Sequence, residues 1–278
     1  MKHNKIISTL AVAAAALCCL AGCEKDKTTQ TLQIITPGFE NESNQKVYLE
    51  NTKPTWNAGV DQVRINTTQV CTVTYNGTRY EVNPNPANAY YAIFPTTNGN
   101  TADANGGTVV ISATQNYSEH SPGKQKIIAP MAACLNSSNG NLVFHNVCSL
   151  LKVVVENYNT NYPITVNYIK AEGQTTSTKL SGTLAYTFSG NGVSSSPLSA
   201  GGTSVTLTGI NKQIAKGGSK EFYLIIAPYS SAKLDITVNA TVNGHTADFV
   251  QKQNANKAVS KNQIFTQPFA SAFNNVGN

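Results

Sequence analysis

The residue with the clearest chemistry is Cys23, which ends the segment Leu20-Ala21-Gly22-Cys23. A thiol after small residues is the arrangement of the bacterial lipobox, in which a peptidase cuts before the cysteine and the sulfur carries a lipid. Two lysines and a short apolar run precede it, which completes the three parts of an export signal. The sequence therefore predicts a lipoprotein signal peptide over 1–22, lipidation of Cys23 and a polar tether over 23–31. The alternative is an ordinary signal peptide with an accidental cysteine.

The other cysteines after the signal are Cys71, Cys134 and Cys148, an odd number. An oxidising envelope permits one disulfide, and Cys134–Cys148 is the candidate pair. The favoured interpretation is that Cys148, which lies inside an apolar run, is a buried free thiol.

Residues for catalysis or metal binding are not grouped in this sequence. No Cys/His spacing typical of a metal site occurs, and neither a G-x-S-x-G nor an H-E-x-x-H motif is present. The single tryptophan, Trp56, is a candidate for stacking on a sugar, but a lone tryptophan beside a turn is more often part of a core. The sequence predicts no enzyme and no cofactor.

The charge pattern names no charged partner. Only 12% of the residues are charged, and the formal net charge of +6 is spread along the chain. Nucleic-acid binding requires a clustered basic surface, so we expect no nucleic-acid partner. The lipid is the only predicted membrane anchor.

The elements that follow the tether are β-strands throughout. Short β-branched or aromatic runs alternate with turn residues, and Asn76-Gly77 between two alternating runs is the strongest hairpin signal. The predicted strands are 31–36, 47–49, 62–66, 70–75, 80–83, 89–94, 109–113, 126–129, 142–144, 150–156, 164–171, 182–188, 204–208, 221–227, 234–242 and 263–269. This spacing predicts an all-β protein with two tandem β-sandwich domains, over 32–138 and 139–278.

Several segments together resemble the fimbrillin family of Bacteroidetes lipoproteins. The resemblance runs in order over most of the chain after the signal. The segments are 46–49 (KVYL), 54–59 (PTWNAG) with 61–63 (DQV), 89–95 (AYYAIFP), 130–133 (PMAA), 142–152 (LVFHNVCSLLK), 222–228 (FYLIIAP) and 259–265 (VSKNQIF).

The resemblance implies a pair of transthyretin-like β-sandwiches that serve as a pilus subunit or related surface adhesin. It implies an outer-membrane lipoprotein displayed at the cell surface, whose partners are other pilin subunits. In the family a protease removes the N-terminal strand with its lipid, and a strand from another subunit fills the groove. Such a strand satisfies the unpaired backbone groups and covers the apolar slot.

Applied to this sequence, the resemblance points to two processing sites and one donor strand. In the family the cut typically follows a basic residue, often arginine. No arginine precedes Arg64 in this sequence, so Lys46 and Lys53 are the candidate processing residues. Phe265, Phe269 and Phe273 share one face of an extended strand and make the C-terminal tail the candidate donor. Alternatively, Phe265 and Phe269 belong to the domain's own last strand. A non-polymerising surface lipoprotein that binds a glycan or host protein is the second functional hypothesis.

Overall fold

The computed structural model describes residues 32–35, 56, 58–86, 90–136, 141–159, 161–190 and 192–273. Throughout these residues the regular structure is β-strand, which confirms the predicted all-β class. The strands are β1 (Gln33–Ile35), β2 (Gln62–Ile65), β3 (Gln69–Tyr75), β4 (Tyr80–Asn83), β5 (Tyr91–Phe94), β6 (Gly106–Ile111), β7 (Thr114–Asn116), β8 (Glu119–Ser121), β9 (Lys124–Gln125), β10 (Met131–Asn136), β11 (Asn141–Asn146), β12 (Ser149–Asn157), β13 (Ile164–Gly173), β14 (Gly182–Ser189), β15 (Gly192–Ser195), β16 (Ser204–Thr208), β17 (Lys212–Ile214), β18 (Ser219–Ile226), β19 (Tyr229–Ala232), β20 (Leu234–Val242), β21 (His245–Lys252), β22 (Lys257–Val259) and β23 (Ile264–Ser271).

The strands β1 to β5, together with β10 and β11, close into a barrel. Its order is β1-β11-β10-β5-β2-β3-β4, and β1 pairs with β4 to complete the ring. Every second residue of β2 and β3 points inward, as Val63, Ile65, Cys71 and Val73 are fully buried. A barrel leaves no strand edge unpaired, so closure protects the backbone groups of this part of the chain.

Two sheets stack face to face in the later part of the chain. The sheet β18-β12-β23 covers the sheet β21-β20-β13-β16-β7, with β17 also paired to β13. The largest hydrophobic cluster fills the space between them, with contributions such as Leu151, Phe222 and Val238. These packed faces agree with the predicted β-sandwich.

Strand β12 is covered on both faces. Leu151 and Val153 point into the cluster between the stacked sheets, while Leu150 lies in a second cluster beneath β6, β14 and β15. A strand buried on both faces needs apolar residues in succession instead of alternation. This double burial explains why apolar residues follow one another in 150–155, where Lys152 is the single polar exception.

The predicted strands agree with the structure over most of the described chain. The segments 80–83, 204–208 and 234–242 coincide with β4, β16 and β20. The predicted Asn76-Gly77 hairpin is confirmed between β3 and β4, where the Asn76 carboxamide accepts hydrogen bonds from the backbone of Thr78 and Arg79.

One predicted strand, 126–129, is wrong. Burial alternates there as in a strand, since Ile127 and Ala129 are buried and Ile128 is exposed, but these residues form no β-ladder. The ladder begins afterwards, at Met131.

The predicted domain boundary between 138 and 139 falls between the paired strands β10 and β11 of one barrel. The change of sheet occurs later, between β11 and β12. Residues 32–278 group as one compact unit. The division into two domains stays a prediction. Within the part of the chain that is described, no helix has the length and hydropathy of a membrane span.

Candidate functional site

The short strand β1 holds the barrel closed between β4 and β11. Ile34 is opposite Tyr80 of the antiparallel neighbour β4 and opposite Leu142 of the parallel neighbour β11. Among the described residues, Gln33, Ile34 and Ile35 make these two ladders, whereas β12 and β20 each have nine residues. Removal of β1 exposes the backbone edges of both neighbours.

Leu32, just before β1, fills the end of the barrel core. Its side chain is 7% exposed and belongs to the cluster of Val82, Leu142 and Phe144. Its backbone N–H donates to Oδ1 of Asn85 at 3.1 Å. Removal of this segment therefore leaves an apolar slot as well as unpaired backbone groups, and an extended chain with an apolar side chain at the Leu32 position would fill both.

Trp56 is the next described residue after β1, and it packs in the barrel core. Its ring makes edge contacts with Phe94 and Phe144, at centroid distances of 5.0 Å and 5.2 Å. In sequence, Lys46 and Lys53 lie between β1 and Trp56, outside the described residues. Cys23 precedes β1 and is also outside the described residues. A cut at either lysine would separate β1 from a barrel that keeps its tryptophan. The processing and lipidation sites stay predictions.

Arg64 lies within β2, as predicted, and its guanidinium donates hydrogen bonds to two backbone carbonyls. Nη1 donates to the carbonyl of Asn100 at 3.0 Å, and Nη2 donates to the carbonyl of Thr96. A protease cannot reach a paired residue of a closed barrel without opening it, so this arginine is poorly placed for processing.

The candidate donor strand is part of the chain's own fold. β23 pairs in parallel with β12 from Ile264 to Ser271. Phe269 and Phe273 are both 1% exposed, and Phe265 is half-buried against the same cluster. Phe265 and Phe269 therefore lie where the alternative to strand donation places them, in the last strand of their own domain. Whether the tail is donated stays a prediction.

Phe273 is held firmly at the end of the described chain. Its ring lies 4.6 Å from the ring of Phe249, and its carbonyl accepts from Nδ2 of Asn159. Its φ of +48° is in the left-handed region, which is unfavourable for an aromatic residue. Packing and the asparagine contact stabilise this conformation.

Trp56, the candidate for stacking on a sugar, is not at the surface. Trp56 is 6% exposed and packs in the barrel core, which confirms its interpretation as a core residue. Tyr90 is 59% exposed, whereas Tyr91 packs against the second cluster. Tyr75 and Tyr80 form a surface pair at 5.0 Å on the β3–β4 hairpin.

Titratable side chains form no metal site in the described ranges. No three His, Cys, Asp or Glu side chains there are close enough to share an ion. Carboxylates bond to neighbours instead: Glu81 accepts from Arg79 at 2.7 Å, and Glu172 accepts from Lys170 at 2.8 Å.

The three described cysteines are free thiols, so the structure forms no Cys134–Cys148 disulfide. Cys71 and Cys148 are fully buried, as the favoured interpretation required for Cys148, and Cys134 is half-buried. Burial raises the pKa of Cys148 to about 12 and also raises the pKa of Cys71 and Cys134.

We expect Cys148 to resist alkylation in the native chain. At pH 8 the raised pKa lowers its thiolate fraction roughly a thousandfold, and burial also excludes the reagent. Iodoacetamide labelling followed by peptide mass spectrometry measures this. Cys134 should react first in native protein, and all three should react in urea. Fast native labelling of Cys148 would contradict its burial.

Glutamine side chains cover the free edge of β18, a feature that sequence reasoning missed. Gln125 donates through Nε2 to the Tyr223 carbonyl at 2.7 Å and accepts the Tyr223 N–H at 2.9 Å. Gln115 makes the same two bonds with Ile225, at 2.6 Å and 2.8 Å. Each amide replaces one residue of a neighbouring strand. No local pattern marks these glutamines, because their partners are about 100 residues away.

We expect Gln125→Ala to lower the free energy of unfolding by about 2–3 kcal/mol, because it removes two hydrogen bonds to the buried backbone of Tyr223. Urea unfolding measures the change. The matched control is Gln213→Ala at the exposed position of β17, which should change stability by less than about 0.5 kcal/mol. Equal effects of the two substitutions would show that the amide bonds contribute nothing.

The fold is shared with a solved structure from Bacteroides. No family model and no curated protein sequence matches this chain. A candidate cell adhesion protein from Bacteroides ovatus superposes with a TM-score of 0.52 at 10% identity, over 89% of this chain and 94% of that protein. Candidate cell adhesion proteins from Bacteroides uniformis and Bacteroides fragilis give TM-scores of 0.40 and 0.42, at 18% and 10% identity. Each of these two covers 88% of this chain and 94% of its own. The chain therefore has the fold of the Bacteroides ovatus protein along almost its whole length.

Proposed function

We propose that this chain is a surface adhesin that acts as a structural subunit of a bacterial pilus. It is exported as a lipoprotein anchored through Cys23, and its subunits join when β1 is removed and a strand from another subunit replaces it. The function is structural, with other copies or related subunits as partners, and needs no cofactor.

The observation that carries the proposal is the construction of the barrel around β1. Among the described residues, Gln33–Ile35 close the ring, Leu32 seals its core, and Trp56 is the next residue of the barrel core along the chain. The intervening segment contains both candidate processing residues, Lys46 and Lys53. A single cut there would detach the strand and the lipid together, and it would leave the rest of the barrel with an open slot.

Two further features support the proposal. The Bacteroides ovatus protein of the same fold is described as a candidate cell adhesion protein, which favours a role at the cell surface. The lipobox at Cys23 and the ordered fimbrillin-like segments favour the same class of protein.

The proposal is tested by an immunoblot of the surface fraction, with heated and unheated samples and N-terminal sequencing of each band. Strand exchange gives non-covalent polymers that survive without heating, so we expect a ladder that collapses on heating. The bands should begin after Lys46 or Lys53. A single band that still begins at lipidated Cys23 would contradict polymerisation and favour a non-polymerising lipoprotein that binds a glycan or host protein.

A further inference from the structure

Within the described residues, the strand β21 has an unpaired edge along the open side of the stacked sheets. It ends the order β21-β20-β13-β16-β7, so β20 is its only strand neighbour within the described chain. Beside it lies an open groove of about 550 Å³, lined by residues 247–251 of β21 and 269–271 of β23. An eight-residue strand with one unpaired edge is a template for an added strand.

The hairpin geometry shows which residues offer backbone groups to that edge. Val242 is opposite His245 across the two-residue turn Asn243-Gly244, so those two residues form a hydrogen-bonded pair. The N–H of Gln253 donates to the Leu234 carbonyl, which confirms the same alternation at the far end. The odd-numbered residues of β21 therefore bond to β20, and the even-numbered residues direct their N–H and C=O groups to the free edge.

The even-numbered side chains carry a pattern that is complementary to itself. Thr246, Asp248, Val250 and Lys252 are all exposed, and Val250 is one of the large apolar side chains left on the surface, at 55% exposure. In an antiparallel pair of two β21 strands centred on Val250, each Asp248 lies opposite the Lys252 of the other copy. The two valines then meet at the twofold axis.

Other registers that keep the backbone bonds are less favourable. Centring on Asp248 or on Lys252 places two like charges opposite each other. Centring between Asp248 and Val250 places the aspartate opposite an apolar side chain, so it gains no cation and keeps only contacts of its own chain, such as the hydrogen bonds from Tyr168 and Asn239. Charges on an edge strand usually prevent pairing with unrelated strands, and here the same charges select a second copy.

We propose that β21 is a contact surface for a second copy of this chain, which adds its own β21 antiparallel in the register centred on Val250. The contact supplies three hydrogen-bonded residue pairs, about six backbone hydrogen bonds in all. It is smaller than a standard interface, so the association is weak and concentration-dependent. Because β1 has no part in it, chains that never exchange strands also form this contact.

Disulfide trapping tests the register directly. Residues opposite each other in a hydrogen-bonded pair have Cα atoms about 5.5 Å apart, within the range that a disulfide spans. Cells that express the full chain with Val250→Cys are oxidised with copper phenanthroline and blotted without reductant. Thr246→Cys is the matched control on the same exposed face, because the proposed register separates the two copies of residue 246 by about 27 Å.

We expect at least about tenfold more dimer from Val250→Cys than from Thr246→Cys. Adding Lys252→Glu, which opposes a second acid to Asp248, should lower the dimer yield roughly tenfold. Lys216→Glu, an equal charge change on a distant exposed turn, should leave it unchanged. Equal yields from the two cysteine variants, at equal amounts of full-length chain, would overturn the proposal, and so would an unchanged yield with Lys252→Glu.

Discussion

Replacing Trp56 with alanine should lower the free energy of unfolding by about 3–5 kcal/mol. The indole is 6% exposed and packs edge-on against Phe94 and Phe144 in the barrel core. Its loss leaves a cavity that surrounding strands cannot fill, because a closed barrel does not contract locally. Urea unfolding followed by circular dichroism measures the change.

Tyr90→Ala is the control for this substitution. Tyr90 directly precedes the barrel strand β5, and its side chain is 59% exposed. Its removal should therefore change stability by less than about 0.5 kcal/mol. If Trp56→Ala were as mild as Tyr90→Ala, Trp56 would not anchor the chain after β1. The barrel core beside the slot that we assign to an incoming strand would then not be stabilised by Trp56.

Phe273→Ala should also be costly, with an expected loss of about 3–5 kcal/mol. The ring is 1% exposed and contacts the rings of Phe249 and Phe269 at 4.6 Å and 6.2 Å. The same unfolding experiment measures the effect. This result would assign the residue to the core of its own chain before assembly.

Phe265→Ala provides the matched comparison within β23, the strand that precedes Phe273. Phe265 is half-buried, so its truncation should cost roughly half as much as that of Phe273. Should Phe273→Ala leave stability unchanged, the tail would contribute nothing to its own chain, and donation of Phe273 to another subunit would cost no core contact.

The interior strands could be predicted because their burial writes a periodic pattern into the sequence. β20 alternates buried and half-buried residues over its whole length, and its predicted bounds coincide with the structure. β21, its neighbour, was missed, because this edge strand has mostly polar residues on its exposed face and only partly buried residues on the other. β15 was missed for another reason: its Gly/Ser composition resembles a loop, and only buried Val193 marks the strand.

The sequence predicts the strand β1 of the candidate site, but it does not predict which strands pair with β1. The segment 31–36 has the β-branched pattern that predicts β1, but its parallel partner β11 is more than 100 residues away. Pairing at such a distance depends on how the whole barrel closes, which no local pattern encodes. The burial of Phe273 has the same origin, since it depends on Phe249 and Asn159 from other parts of the fold.

The most direct test of subunit exchange is to lock β1 in place with a disulfide. Gln33 and Glu81 are opposite each other in the antiparallel pair β1–β4, so the double variant Gln33→Cys/Glu81→Cys can form a disulfide there. Val110→Cys/Thr183→Cys, which lies between β6 and β14, is the matched control outside the barrel. The measurement is the heat-sensitive ladder of the surface fraction, before and after reduction.

We predict that the locked variant gives no ladder until it is reduced, whereas the unmodified chain and the control variant form ladders under both conditions. The lock keeps β1 attached even after cleavage, and the slot then cannot accept another strand. A ladder that persists while the β1–β4 disulfide is intact, or no ladder from the unmodified chain, would contradict assembly by exchange of β1.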